Sequence, residues 1–164
     1  MEKKQARIKS PLKLSGFKHV YMFVNSSAFE YDREIIESQE DNASMSLDLG
    51  LNMGKFNFMV KGESCVLVVE WEARVRGLLG ELDESSDEDF SDLNKVFEAR
   101  VGFDHVYNVP KEFADASNDE MNNFFEEHES QFRPVAQASA TNSLKNLLSN
   151  TPLAGLRIPY GIDM

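Results

Sequence analysis

Cysteine is nearly absent: Cys65 is the only one in 164 residues. That excludes an internal disulfide framework and a multi-cysteine metal cage, and makes a reducing, cytoplasmic setting the expectation. Basic residues are scarce, 17 Lys and Arg against 28 Asp and Glu, for a formal charge of −11. A surface of that sign repels phosphate, so nucleic acid is not expected as a partner. Long apolar runs are missing as well. None exceeds five residues, the length of Cys65 to Val69, against the ~20 a spanning helix needs, so no membrane insertion is expected. Lys3, Lys4, Arg7, Lys9 and Lys13 have no apolar stretch behind them, so they do not form a secretory signal.

The chemistry of catalysis is thin too. The three histidines, His19, His105 and His128, are far apart in the chain, and no phosphate-loop, dinucleotide, nucleophile-elbow or zinc-protease motif occurs. His105 shares a face with Phe103 and Tyr107 and reads as a core or interface histidine. Cys65 opens an apolar strand and reads as a small buried hydrophobe. No enzyme activity, cofactor or metal is expected.

What is present suits a folded domain. Apolar residues make up 41% and charged residues 27%, near the globular average, and a chain of this length buries roughly 70% of its unfolded surface. Residues 1–16, basic and broken by Pro11 and Gly16, read as a flexible arm. Residues 17–164 read as one domain. Phe17–Val24 has strand composition; Met45–Asn52 alternates, and Phe56–Val60 extends it beyond a bend at Gly54, with a turn at Gly62. In Ser64–Gly77, Cys65, Leu67, Val69, Trp71, Ala73 and Val75 share a face opposite Glu70, Glu72, Arg74 and Arg76. In Lys95–Tyr107, Phe97, Ala99, Val101 and Phe103 oppose Glu98, Arg100 and Gly102. The last two strands are joined through Glu81, Asp83, Glu84, Asp87, Glu88, Asp89 and Asp92, without a base among them. These acids lack the spacing and glycine of an EF-hand loop. They read as a solvated acidic loop, 81–92, able to meet a basic partner.

After Pro110 the period becomes helical. Ser117 or Asn118 caps a helix whose stripe is Met121, Phe124, Phe125, His128 and Phe132, and Pro134 should end or kink it near Phe132. A second helix runs from about Arg133 to Ser149 with Val135, Ala138, Leu144, Leu147 and Leu148 as its apolar positions. Strands first and helices last predict an α+β fold, a four-stranded antiparallel sheet with C-terminal helices on one face.

Two segments resemble the bacterial export chaperone SecB and its SecB-like relatives. Val96–Tyr107 is similar to the family's last strand, approximately A-F-x-x-x-V-x-x-x-G-I-F, with His105 in place of the glycine. The run from Pro152 to Asp163 resembles the Pro-rich tail after the family's long helix, with an isoleucine replacing a phenylalanine, and Phe132-Arg133-Pro134-Val135-Ala136 resembles that helix's start. The resemblance implies an ATP-independent holdase of unfolded polypeptides, assembled as a tetramer built from two dimers, and the apolar faces of 64–77 and 119–132 likewise predict a homodimer or homotetramer. The resemblance further implies clients passed to a SecA-type translocation motor or an antitoxin client of a toxin–antitoxin pair. Twelve Phe and seven Met suit varied apolar contact. The candidates for exposed client contact are Phe124, Phe125, Phe132, Tyr160 and Ile162, at ends and kinks. The competing reading is a non-catalytic adaptor of phage or mobile-element origin that binds one folded partner through the acidic loop.

Overall fold

The computed structural model describes residues 12–38, 45–79, 95–155 and 157. Four strands, β1 (Lys18–Tyr31), β2 (Met45–Lys61), β3 (Ser64–Leu79) and β4 (Lys95–Val109), form one antiparallel sheet in the order β1-β4-β3-β2. Between β1 and β2 lies a six-residue helix, α1 (Arg33–Ser38), which the sequence reading did not anticipate. Asp32 starts it, its carboxylate accepting from the Ile35 N–H at 3.0 Å. A 3-10 turn (Lys111–Asp115) leads from β4 into α2 (Asn118–Glu127) and α3 (Glu129–Leu148). The expected α+β arrangement is the one present.

The alternation along β3 and β4 decides which side the helices cover. Cys65, Leu67, Val69, Ala73 and Val75 are buried, as are Phe97, Ala99, Val101 and Phe103. On the open face Glu98 departs from expectation. It is buried, because the Lys95 ammonium at 3.0 Å and the Arg100 guanidinium close over it. The strand pieces before and after Gly54 are one strand with a register shift between Met53 and Phe56. A two-residue turn joins β2 to β3, and Gly62 supplies its positive φ of 63°. A second shift in β1, between Val24 and Ser26, lays Asn25 and Ser26 over Gly102 so closely that any side chain there would strike them.

The helices divide the interior in two. Along α3, Phe132, Ala136, Ala140, Leu144 and Leu148 recur every fourth residue and face the sheet. Ala136, Ala140, Leu144 and Leu148 close on Val75, Phe97, Ala99, Val101 and Phe103. Val135, 43% exposed, and Ala138 point outward instead. Their assignment to the apolar face is thereby corrected: a helix lying close on a sheet packs its small side chains inward. Towards the other end, Phe113, Met121, Phe124, Phe125 and Phe132 join Leu67, Val69 and Tyr107 in an aromatic cluster. Leu12, Leu14 and Phe17 pack against it, so the described end of the basic arm is docked.

The break between α2 and α3 falls at His128 (φ −113°, ψ 18°), and α3 continues through Pro134. The expected end near Phe132 is therefore corrected. His128 donates from Nδ1 to the Phe124 carbonyl at 2.9 Å and its ring stacks on Phe124 at 4.6 Å. The Phe124 carbonyl also accepts the His128 backbone N–H at 3.2 Å, so the ring adds a second bond to the same carbonyl at the corner. At the front of α2, Ser117 and Glu120 form a reciprocal capping box.

Candidate functional site

Where α2 turns into α3, the aromatic cluster fails to close against β2 and β3. Leu51 and Met53 from β2, Trp71 from β3, and Phe125 and Phe132 from the helices line a cavity of about 220 Å³, with Glu126, Glu129 and Arg133 at its rim. At ~30 Å³ per water this is the space of about seven waters. It admits a single large side chain and is below the ~300–1,000 Å³ of typical small-molecule pockets. The walls are braced by ring contacts. Phe125 and Phe132 have ring centroids 4.5 Å apart, Phe56 stacks on Phe125 at 5.2 Å, and Phe17 meets Phe132 at 5.2 Å. Each such pair contributes about 0.5–1.5 kcal/mol beyond area burial.

Phe124, Phe125 and Phe132 were expected as exposed contacts. They are 3%, 3% and 7% exposed, because a small sheet capped by one helical corner draws its largest side chains inward. Phe125 and Phe132 still form cavity walls, whereas Phe124 faces Phe17, Phe113 and His128. Tyr160, Ile162 and the acids Glu81, Asp83, Glu84, Asp87, Glu88, Asp89 and Asp92 lie outside the described residues. Sequence reasoning missed Leu51, Met53 and Trp71 as site residues. Alternation assigned Leu51 and Trp71 to the core and left Met53 unassigned, and nothing local distinguishes a core position from a cavity wall.

Trp71 carries an anomaly. Its Nε1–H is buried and has no hydrogen-bond acceptor among the described residues, a state that costs about 1–3 kcal/mol. By contrast, His105 at the centre of the sheet is engaged. Its Nε2 lies 3.1 Å from the Ser139 hydroxyl of α3 and its Nδ1 is 3.4 Å from the Tyr107 hydroxyl. Burial, reinforced by the nearby His19 ring, pushes the His105 pKa down to about 4, and burial pushes the Tyr107 phenol up. Burial likewise raises the Cys65 thiol. Among the described residues no group of three His, Cys, Asp or Glu side chains is placed to hold a metal ion.

The open face of the sheet offers a second, polar surface. A hollow of about 350 Å³ is bounded by Asn25, Ser26, Asn52, Gly54, Glu70 and Glu72. Beside it, Asn25 donates to Asp104 at 2.7 Å and Asn57 to Glu70 at 2.8 Å. Burial raises the Asp104 carboxyl, the Asn25 bond opposes this, and Glu70 adds to it. At the edge, Val20, Tyr21, Phe23 and Val24 of β1 are exposed, Tyr21 by 53%. No described helix is long and apolar enough to cross a membrane.

No protein-family model matches the chain, and no curated protein matches it. Among solved structures it is similar to the Mycobacterium tuberculosis Rv1957 SecB-like chaperone, determined in complex with a ChAD peptide from the Rv1956 HigA1 antitoxin. The TM-score is 0.51 at 10% sequence identity, over 88% of this chain and 90% of that one. At that identity the likeness establishes the fold alone: four antiparallel strands followed by helices packed on one face, in the SecB-like arrangement.

Proposed function

We propose that the protein is an ATP-independent, non-catalytic, cytoplasmic holdase that binds unfolded polypeptide segments in the groove between β2, β3 and the α2–α3 corner. The observation that carries this reading is the unfilled apolar cavity in an otherwise closed aromatic cluster, on a fold shared with a SecB-like chaperone. The neighbour's bound antitoxin peptide supports an antitoxin or another unfolded chain as client. Assembly into a dimer or tetramer is supported by the exposed apolar side chains of β1, which forms one edge of the sheet. Glu70, Glu72 and Asp104 on the open face suit a basic docking partner, such as a SecA-type motor receiving the client.

Light scattering from a thermally aggregating protein tests the holdase reading. Stoichiometric amounts of this protein should suppress the signal without nucleotide, and failure against several unrelated clients would remove the reading.

A further inference from the structure

After α3 the chain turns. The Thr151 N–H donates to the Leu148 carbonyl at 2.9 Å, the Ala154 N–H donates to the Thr151 carbonyl at 3.1 Å, and Leu153 packs on the closed seam. The place of this turn follows from α3, which has Phe132 against Tyr107 and Ser139 against His105, and so runs along β4 towards Phe97. In the sheet Phe97 pairs with Gly77, and Gly77 with Leu47. The chain past Leu153 therefore sets out from the Leu47 end of the sheet, opposite the cavity. Between the two lies a row of β2 side chains, Leu47, Leu49, Leu51 and Met53, about 20 Å long at ~3.3 Å per residue. Leu47, Leu49 and Met53 are only half-buried, and the row ends in the cavity wall.

The sequence that follows the turn matches this row. Leu156, Ile158, Tyr160 and Ile162 alternate with Arg157, Pro159, Gly161 and Asp163, and Arg157 is exposed. Pro159 biases Ile158 towards extended backbone and, with Gly161, opposes a helix. At ~3.3 Å per residue an extended chain from Gly155 reaches ~17 Å at position 160 and ~23 Å at position 162, the span of the row. We propose that residues 156–164 are the groove's resident occupant, with Ile158 along the row and Tyr160 in the cavity, and that a client binds by displacing them. Tyrosine suits aromatic walls beneath a charged rim, because its ring is apolar and its hydroxyl takes a polar neighbour. The Arg157 and Asp163 charges cancel, so the acidic rim residues Glu126 and Glu129 do not repel the segment. On the holdase reading, on which this rests, the segment covers the apolar groove between clients. Tethering gives it a high local concentration, and apparent client affinity falls with the fraction of molecules whose groove is covered.

Trp71, the chain's only tryptophan, stands in the cavity wall and reports occupancy without any client. In the full-length protein, Tyr160→Ser combined with Ile162→Ser should shift its emission to the red and open it to acrylamide quenching, with circular dichroism unchanged. A fluorescein-labelled, unstructured peptide of Leu, Ser and Lys should bind this variant about tenfold more tightly than wild type. A free peptide of sequence 156–164 should restore the wild-type emission and displace the labelled peptide. Unchanged emission, unchanged affinity, or a free tail peptide without effect would overturn the proposal and leave the holdase reading intact. Weaker client binding by the variant would make Tyr160 and Ile162 client contacts and overturn it as well. If neither protein bound the labelled peptide or suppressed aggregation, the holdase reading would fall, and the competition with it.

Discussion

Where α3 crosses β3 and β4, helix and sheet meet through Ala136, Ala140 and Leu144, whereas at the α2–α3 corner the same sheet meets Phe124, Phe125 and Phe132. Small side chains let the helix approach closely, and the seam closes over Phe97 and Phe103, both at most 1% exposed. Large planar side chains hold the chain further off and tile imperfectly. At the corner they leave the cavity beside Trp71. A closed seam anchors the fold and an unfilled aromatic corner offers a place to bind, so one sheet carries both tasks through side-chain size.

The sharpest way to break this contrast is to empty the corner. Phe132→Ala removes a ring that contacts Phe17, Tyr107, Phe124 and Phe125, and should cost about 3–5 kcal/mol. With total stabilities of about 5–15 kcal/mol, the urea midpoint should fall steeply. A midpoint near wild type would show that the aromatic cluster does not hold the corner.

Acid attacks the seam instead. His105, lowered to about 4 in the folded protein, stays neutral there while the unfolded chain takes up a proton below its ordinary value of about 6.5. The contribution is therefore fully present above pH 6.5 and is lost as pH falls towards 4, amounting to about 3 kcal/mol. Glu98 adds a further loss at lower pH. Burial raises its carboxyl, but Arg100 and Lys95 outweigh that and leave it lowered. Stability measured from pH 7.5 to 4 should fall for wild type and much less for His105→Gln.

Enlarging side chains separates the two regions further. Ala140→Leu in the closed seam should destabilise by about 1–3 kcal/mol, whereas Leu51→Phe, which grows into the cavity, should leave stability within about 0.5 kcal/mol while weakening client binding. Equal losses from both would show that the corner is as tightly packed as the seam. The smallest effect belongs to the solvent side of α3, where Val135→Ala should change stability by no more than about 0.5 kcal/mol. A larger loss in the assembled protein would place Val135 in a subunit contact.

The strands were legible because alternation is local. Met45–Asn52, Ser64–Gly77 and Lys95–Tyr107 each state their buried face in two-residue steps, and the structure uses those faces. The helices were less legible. In α3 the sequence favours the bulky Val135, while close approach to the sheet selects Ala136 and Ala140, a choice made by the distance between layers. The α2–α3 corner includes a bond from the His128 ring to a carbonyl four residues back, and Pro134, the stronger local signal, is absorbed within the helix. Of the groove, the sequence indicated Phe125 and Phe132 but assigned them to the surface. Leu51, Met53 and Trp71 become site residues only through tertiary packing.

Photo-crosslinking from the rim addresses the groove most directly. A benzoylphenylalanine in place of Glu126, at the cavity, and another in place of Met59, 57% exposed on the open face of β2, would each be irradiated with an unfolded client under conditions where aggregation is suppressed. Adducts from position 126 and few or none from position 59 are the expected result. Suppression of aggregation with adducts from position 59 alone would place the client on the open face of the sheet and contradict the account.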